Sequence, residues 1–218
     1  MTPEGDLCKA ICDNNVPDAK KAIESGANIS LTRIHGIDLL RYSAERSKRG
    51  ICELLVAKGA DVNKVDGMRK YSLLHHAAAC SNFGMASILL DLEAEPNPKA
   101  SNDATPLHIA ARTGQVYLVD KFLNHKANIN AQDNLGRTPL NLAVSKDDLE
   151  MVKLLVKRNC DLNLSDKKGR TPLSIALASE QPEIQEVLLA HGAKNFRQSS
   201  GSLSRVAEDS SDKNPRQL

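Results

Sequence analysis

Tryptophan is absent from this 218-residue chain, and its aromatic complement is only three Phe and three Tyr. That excludes a compact globule filled by large rings and favours Ala- and Leu-rich helices lying close together in layers. No apolar run approaches the ~20 residues needed for a membrane helix, so no membrane association is expected. Charge of neither sign prevails: 29 Lys and Arg against 27 Asp and Glu leave +2, which alone implies neither nucleic acid nor a lipid surface. Cysteine is scarce and odd in number. Cys8, Cys12, Cys52, Cys80 and Cys160 follow no disulfide-framework spacing, and the opening MTPEGDLCKAICD has no hydrophobic signal region. Both point to a reducing, intracellular compartment, cytoplasmic or nuclear.

What the chain does have is recurrence. In DATPLHIAARTG, Asp103 to Gly114, Thr105 is placed to N-cap a short helix, and Pro106 fits the first helical position, where no N–H is needed. GRTPLNLAV follows at Gly136 and GRTPLSIAL at Gly169, setting Thr105, Thr138 and Thr171 33 residues apart. Looser copies begin at Ser72 and Asp38. A second marker keeps the same phase: Ala27-Asn28-Ile29, Ala60-Asp61-Val62-Asn63, Ala127-Asn128-Ile129-Asn130 and Cys160-Asp161-Leu162-Asn163.

A period near 33 around T-P-L-H-x-A is a highly specific repeat signature. On these residues the chain resembles the ankyrin-repeat family over roughly 5–196. The resemblance implies an all-α solenoid of about six stacked helix-turn-helix repeats joined by β-hairpin fingers. The expected units are a degenerate N-capping repeat at 1–30, then repeats at 31–65, 66–99, 100–132 and 133–165. A C-capping repeat at 166–197 follows, and last a disordered Ser-rich tail at 198–218. The third repeat has one residue more than the period before its Ser72 cap, so its finger, Gly67 to Tyr71, should be longer than the others. Gly26, Gly59 and Gly192 occupy the left-handed helix stop; Asn159, Glu93 and Lys126 stand at that position elsewhere.

Candidate chemistry is thin. His75 and His108 fall on the motif histidine, which in the ankyrin family bonds between loop and neighbouring backbone. His76 and His191 have no carboxylate at catalytic spacing in the sequence. Cys8 and Cys12 are four apart, but zinc would need two further ligands and no second pair supplies them; no metal or cofactor is expected. Nothing resembles a nucleophile with its base, so no enzyme is expected. Two stretches ending in Asn63 and Asn163 resemble the pattern that asparaginyl hydroxylases accept in ankyrin repeats. The alternative is that these asparagines close the repeat's own turn. Arg197 before Ser199 makes a weak kinase match.

The resemblance also implies where a partner would sit: on the finger tips and the exposed ends of the first helices. Carried over by position, these are Ile34, His35, Glu45 and Arg46 in the second repeat, and Met68, Arg69, Lys70 and Tyr71 in the third. Arg112 comes from the fourth, Leu135, Arg137 and Lys146 from the fifth, and Lys167, Lys168 and Arg170 from the sixth. Nine of these are basic and one is acidic in a chain of net charge +2, so charge is segregated onto one face. Arg137 and Arg170 fall where the family commonly carries a basic residue. The expected function is a non-enzymatic protein–protein interaction scaffold, monomeric by itself, binding an acidic or amphipathic segment. Nucleic-acid binding through the same row is the alternative, opposed by the single finger aromatic, Tyr71.

Overall fold

The computed structural model describes residues 2–194. Among them twelve helices form six antiparallel pairs. The first helices of the pairs are α1 (Pro3–Cys12), α3 (Leu39–Glu45), α5 (Leu73–Ala79), α7 (Pro106–Arg112), α9 (Pro139–Ser145) and α11 (Pro172–Ala178). Their partners are α2 (Val16–Glu24), α4 (Arg49–Ala57), α6 (Phe83–Asp91), α8 (Val116–Asn124), α10 (Leu149–Lys157) and α12 (Pro182–Ala190). None is long and apolar enough to cross a membrane. The tail at 198–218 and the Arg197–Ser199 match lie outside the described residues.

The caps set the starts. Asp38, Thr138 and Thr171 accept the backbone N–H three residues on, and Pro139 and Pro172 occupy the next position. At Thr105 the arrangement differs: the hydroxyl lies 2.9 Å from His108 Nδ1, which also accepts the Thr105 N–H. Glu93, Lys126 and Asn159 are left-handed, with φ of 62°, 65° and 58°, as the repeat phase requires.

Packing follows from small residues at the faces that meet. Ala77, Ala78, Ala110, Ala111, Ala143 and Ala176 are all fully buried, so neighbouring first helices approach closely while Leu7, Leu74, Leu107, Leu140 and Phe122 fill the space between pairs. A core of this kind grows by stacking, each layer covering the last.

Three hydrogen-bond ladders run across the layers. Asn63, Asn97, Asn130 and Asn163 accept through Oδ1 from the N–H of Glu95, Asn128, Asp161 and Lys194. The His75 and His108 rings accept at Nδ1 from the cap N–H and donate from Nε2 to the carbonyls of Ala104 and Arg137, both at 2.9 Å. These partners fix the Nε2–H tautomer, since a carbonyl can only accept. Along the finger edge, the N–H groups of Ser101, Asn134 and Lys167 donate to the carbonyls of Arg69, Asn102 and Leu135.

Two fingers are true hairpins. β1 (Arg33–Ile34) pairs with β2 (Ile37–Asp38), and β3 (Val65–Asp66) with β4 (Tyr71–Ser72). The other fingers carry no strand; the N–H groups of Ala100, Asp133 and Asp166 donate across them to the carbonyls of Ala104, Arg137 and Arg170, and a second backbone bond inside each runs from Asp103, Gly136 or Gly169 to Ala100, Asp133 or Asp166. The outer bonds enclose three residues, whereas Asp66 and Tyr71 enclose Gly67 to Lys70, so the third finger is longer by the one residue expected from the spacing.

Candidate partner-binding face

Fingers five and six are built around a buried carboxylate. Asp133 Oδ2 accepts Nε and Nη2 of Arg137 at 2.8 and 2.6 Å, and Oδ1 accepts the N–H groups of Leu135 and Arg137. Asp166 repeats the pattern with Arg170, Lys168 N–H and Arg170 N–H. Burial alone would raise both carboxyl pKa values, but the Arg side chain and the loop N–H groups outweigh it and hold them below the usual carboxylate range. Arg137 and Arg170 are therefore internal braces, and their charge is largely spent on their own fingers.

The third finger solves the same problem with other residues. Asp66 Oδ1 accepts the Tyr71 N–H, but Tyr71 stands where an Arg would be. The partners come from α5 and α3 instead: His76 Nε2 lies 2.6 Å from Asp66 Oδ2, and Arg41 Nη1 lies 3.9 Å from the same oxygen and 3.4 Å from the His76 nitrogen. So the chain does bring a carboxylate to His76, across a separation of ten residues that spacing within a helix does not reveal. Arg41 is itself held by Glu45 at 2.7 Å. The group forms a structural clamp. Tyr71, half-buried, stacks on the His75 ring at 5.2 Å and meets His76 edge-on at 5.7 Å.

Eight cations on this face are exposed, and among the described residues six of them have no ion pair within 4.0 Å: Arg69, Lys70, Arg112, Lys146, Lys167 and Lys168; the other two, Arg46 and Arg170, are paired. Arg46 is more constrained, its guanidinium 3.8 Å from the centre of the Tyr42 ring and 3.9 Å from Glu45. Met68 is 97% exposed at the tip of the longest finger, and Leu135 is 51% exposed. Ile34, expected as an exposed anchor, is buried at 6%. Its hairpin pairs Ile34 with Ile37 and turns the Ile34 side chain into the core, leaving His35 outside at φ 53°.

The family model for ankyrin repeats matches three times, over residues 7–100, 40–133 and 107–199. The chain belongs to the ankyrin-repeat family. It is similar to an ankyrin repeat-containing protein of Treponema pallidum (strain Nichols), 28% identical over 107 residues, covering 49% of this chain and 36% of that protein. A BTB/POZ domain and ankyrin repeat-containing protein of Oryza sativa subsp. japonica is 31% identical over 107 residues, 44% of this chain and 22% of its own length. The palmitoyltransferase Hip14 of Drosophila melanogaster is 27% identical over 104 residues, 48% of this chain and 16% of its own. The chain thus spans about a third or less of these relatives. Ankyrin repeats are protein–protein interaction scaffolds.

Within the ankyrin stack the remaining candidates fall into place as follows. Asn63 is exposed and Asn163 half-buried, and each accepts an N–H from the following layer through Oδ1, a bond between repeats and not within the repeat's own turn. Cys52 and Cys160 are buried, which pushes their thiols up to about 12. Cys12 lies 3.6 Å from the Tyr42 hydroxyl, and among the described residues no three His, Cys, Asp or Glu side chains gather as a metal site. The D-x-x-x-R spacing at 133–137 and 166–170 was a signal for the two braces. Nothing comparable pointed to His76 and Asp66.

Proposed function

We propose that this chain is a non-enzymatic scaffold of the adaptor, inhibitor or assembly-chaperone kind, holding an acidic or amphipathic segment of another protein. The segment lies along the fingers and the exposed ends of the first helices. The observation that carries this reading is the division of the finger cations into two classes. Arg137 and Arg170 are bound to buried aspartates, while Arg69, Lys70, Lys167 and Lys168 stand exposed beside Met68 and Leu135. A charge already paired within its own finger offers little to a ligand; an unpaired one steers and selects an acidic partner. Exposed apolar tips between such charges supply the contacts that slow dissociation.

The test is to capture the partner by affinity purification, then measure its affinity for Lys167→Glu combined with Lys168→Glu. Affinity should fall at least about tenfold, because attraction and steering both change sign. It should also fall between ~50 and ~300 mM salt in the wild type, as the Debye length shortens. Thermal unfolding should not move, since exposed charges contribute little to stability. Unchanged affinity at low salt would remove the basic edge from the binding site. A gel shift with random-sequence oligonucleotides at comparable affinity would move the reading to nucleic acid.

A further inference from the structure

We infer that the partner-binding face contains one carboxylate-binding pocket, centred on Arg112, that takes a single Asp or Glu side chain of the bound segment. The inference rests on the reading above and deepens it. The pocket is formed where three successive layers meet: Tyr71 from the third finger, Asn102 from the fourth, Arg112 in the last turn of α7, and Leu142 on α9, with Asp133 and Arg137 at its floor.

Its polar groups divide cleanly. Asp133 would repel an anion, but its side chain is 1% exposed and both its oxygens are occupied by Arg137 and two loop N–H groups. Asn102 uses its carbonyl for the Asn134 N–H and its Oδ1 for the Ala104 N–H. Its Nδ2 has no acceptor among the described residues. Arg112 is exposed and, among those residues, without an ion pair. The groups left over are the Arg112 guanidinium, the Asn102 carboxamide N–H₂, Arg137 Nη1 and the Tyr71 hydroxyl, all of them able to donate. A ligand group must therefore be an acceptor, and a charged one to compensate Arg112.

The planar guanidinium suits a planar carboxylate held by two parallel bonds, and on a protein segment that group is an Asp or Glu side chain. The Tyr71 ring, fixed by its stack on His75, and Leu142 give the methylene stem an apolar wall.

The experiment uses the full chain to select 12-residue peptides from a random displayed library. Three baits are compared: wild type, Arg112→Gln, and Lys167→Glu with Lys168→Glu. Wild-type peptides should share one invariant Asp or Glu amid other, variable acids. Replacing it by Asn or Gln should weaken binding about tenfold, Arg112→Gln should weaken it equally, and the two together should cost no more than either. Asn102→Ala should give a smaller loss at the same peptide position. Peptides that depend on Lys167 and Lys168 but show no invariant acid, or bind Arg112→Gln unchanged, would overturn the pocket and leave the wider reading standing. If no peptide is enriched, or none responds to either bait, the binding face itself is misplaced and the pocket falls with it.

Discussion

The Asn82 carboxamide joins two layers: Nδ2 donates to the Glu45 carbonyl at 2.9 Å, while Oδ1 caps α6 through the Met85 N–H at 2.8 Å. Other second-helix caps make the same reach. Lys48 donates to the Cys12 carbonyl, Gln115 to that of Ala78 and Gln181 to that of Val144. Asp148 occupies this position before α10 and caps Met151, but a carboxylate has no proton to donate to the Ala111 carbonyl. Asp148→Asn should keep the cap and add the missing bond, raising the unfolding free energy by about 0.5–1.5 kcal/mol. Denaturant titration would read it. An unchanged or lower midpoint would mean that the fourth and fifth layers are too far apart for the bond to form.

A second gap lies one layer on. Asn141 stands in the phase of His75 and His108, and its Oδ1 accepts the Thr138 N–H. Its Nδ2 is buried without a partner, because an amide is shorter than an imidazole and falls short of the Arg170 carbonyl. Asn141→His should supply that bond and remove the orphan, a gain of about 1–2 kcal/mol. Loss of stability in the same titration would show that the site around Asn141 has closed in and has no room for a ring.

Acid should weaken the stack before any carboxylate titrates. Burial pushes the His75 and His108 pKa values below the usual 6.5, against the opposing pull of their carbonyl partners. The unfolded chain therefore takes up protons that the folded chain refuses. The full contribution is present above pH 6.5 and is lost as pH falls below it towards the depressed folded values. Melting temperature measured from pH 8 to pH 5 should drop across that interval. In the double variant His75→Asn, His108→Asn the drop should flatten, although its starting stability is lower. An equal slope in wild type and variant would assign the acid sensitivity to other groups.

Lys126, at φ 65°, holds a side chain in a conformation that costs a residue with a Cβ about 1–2 kcal/mol. Lys126→Gly removes that cost and loses part of the gain to the freer unfolded chain, so a net rise of about 0.5–1 kcal/mol is expected. Glu93→Gly should behave alike. Should both lower the denaturation midpoint, side-chain contacts of the lysine and glutamate outweigh their backbone strain.

The repeat phase was legible because it is written in backbone requirements: caps at Asp38, Ser72, Thr105, Thr138 and Thr171, and left-handed stops that persist at Glu93 and Lys126 where no glycine stands. The candidate face was legible only as positions. Which cations are free depends on contacts that the period does not encode. Arg137 and Arg170 look like their neighbours Lys167 and Lys168 in a charge count, yet they are fixed to Asp133 and Asp166. Ile34 lies in a finger and was expected outside; a hairpin with only two residues between its strands turns it inward. His76 and Asp66 meet because the third finger folds back over α5, a contact between elements that no spacing within either announces.

The finger-edge ladder, from Arg69 through Asn102 and Leu135, has a mechanical consequence. Fingers three to six share backbone hydrogen bonds, so they move as one bar, and a ligand lying across them meets marks at fixed intervals, as on a ruler. Among the described residues the second finger has no backbone bond to the third. Side chains bridge the two layers there: Asp38 of the second finger meets Lys64, and Arg41 of α3 meets Asp66 of the third finger. His35 therefore lies off the end of the bar, across a joint that among the described residues has no backbone bond.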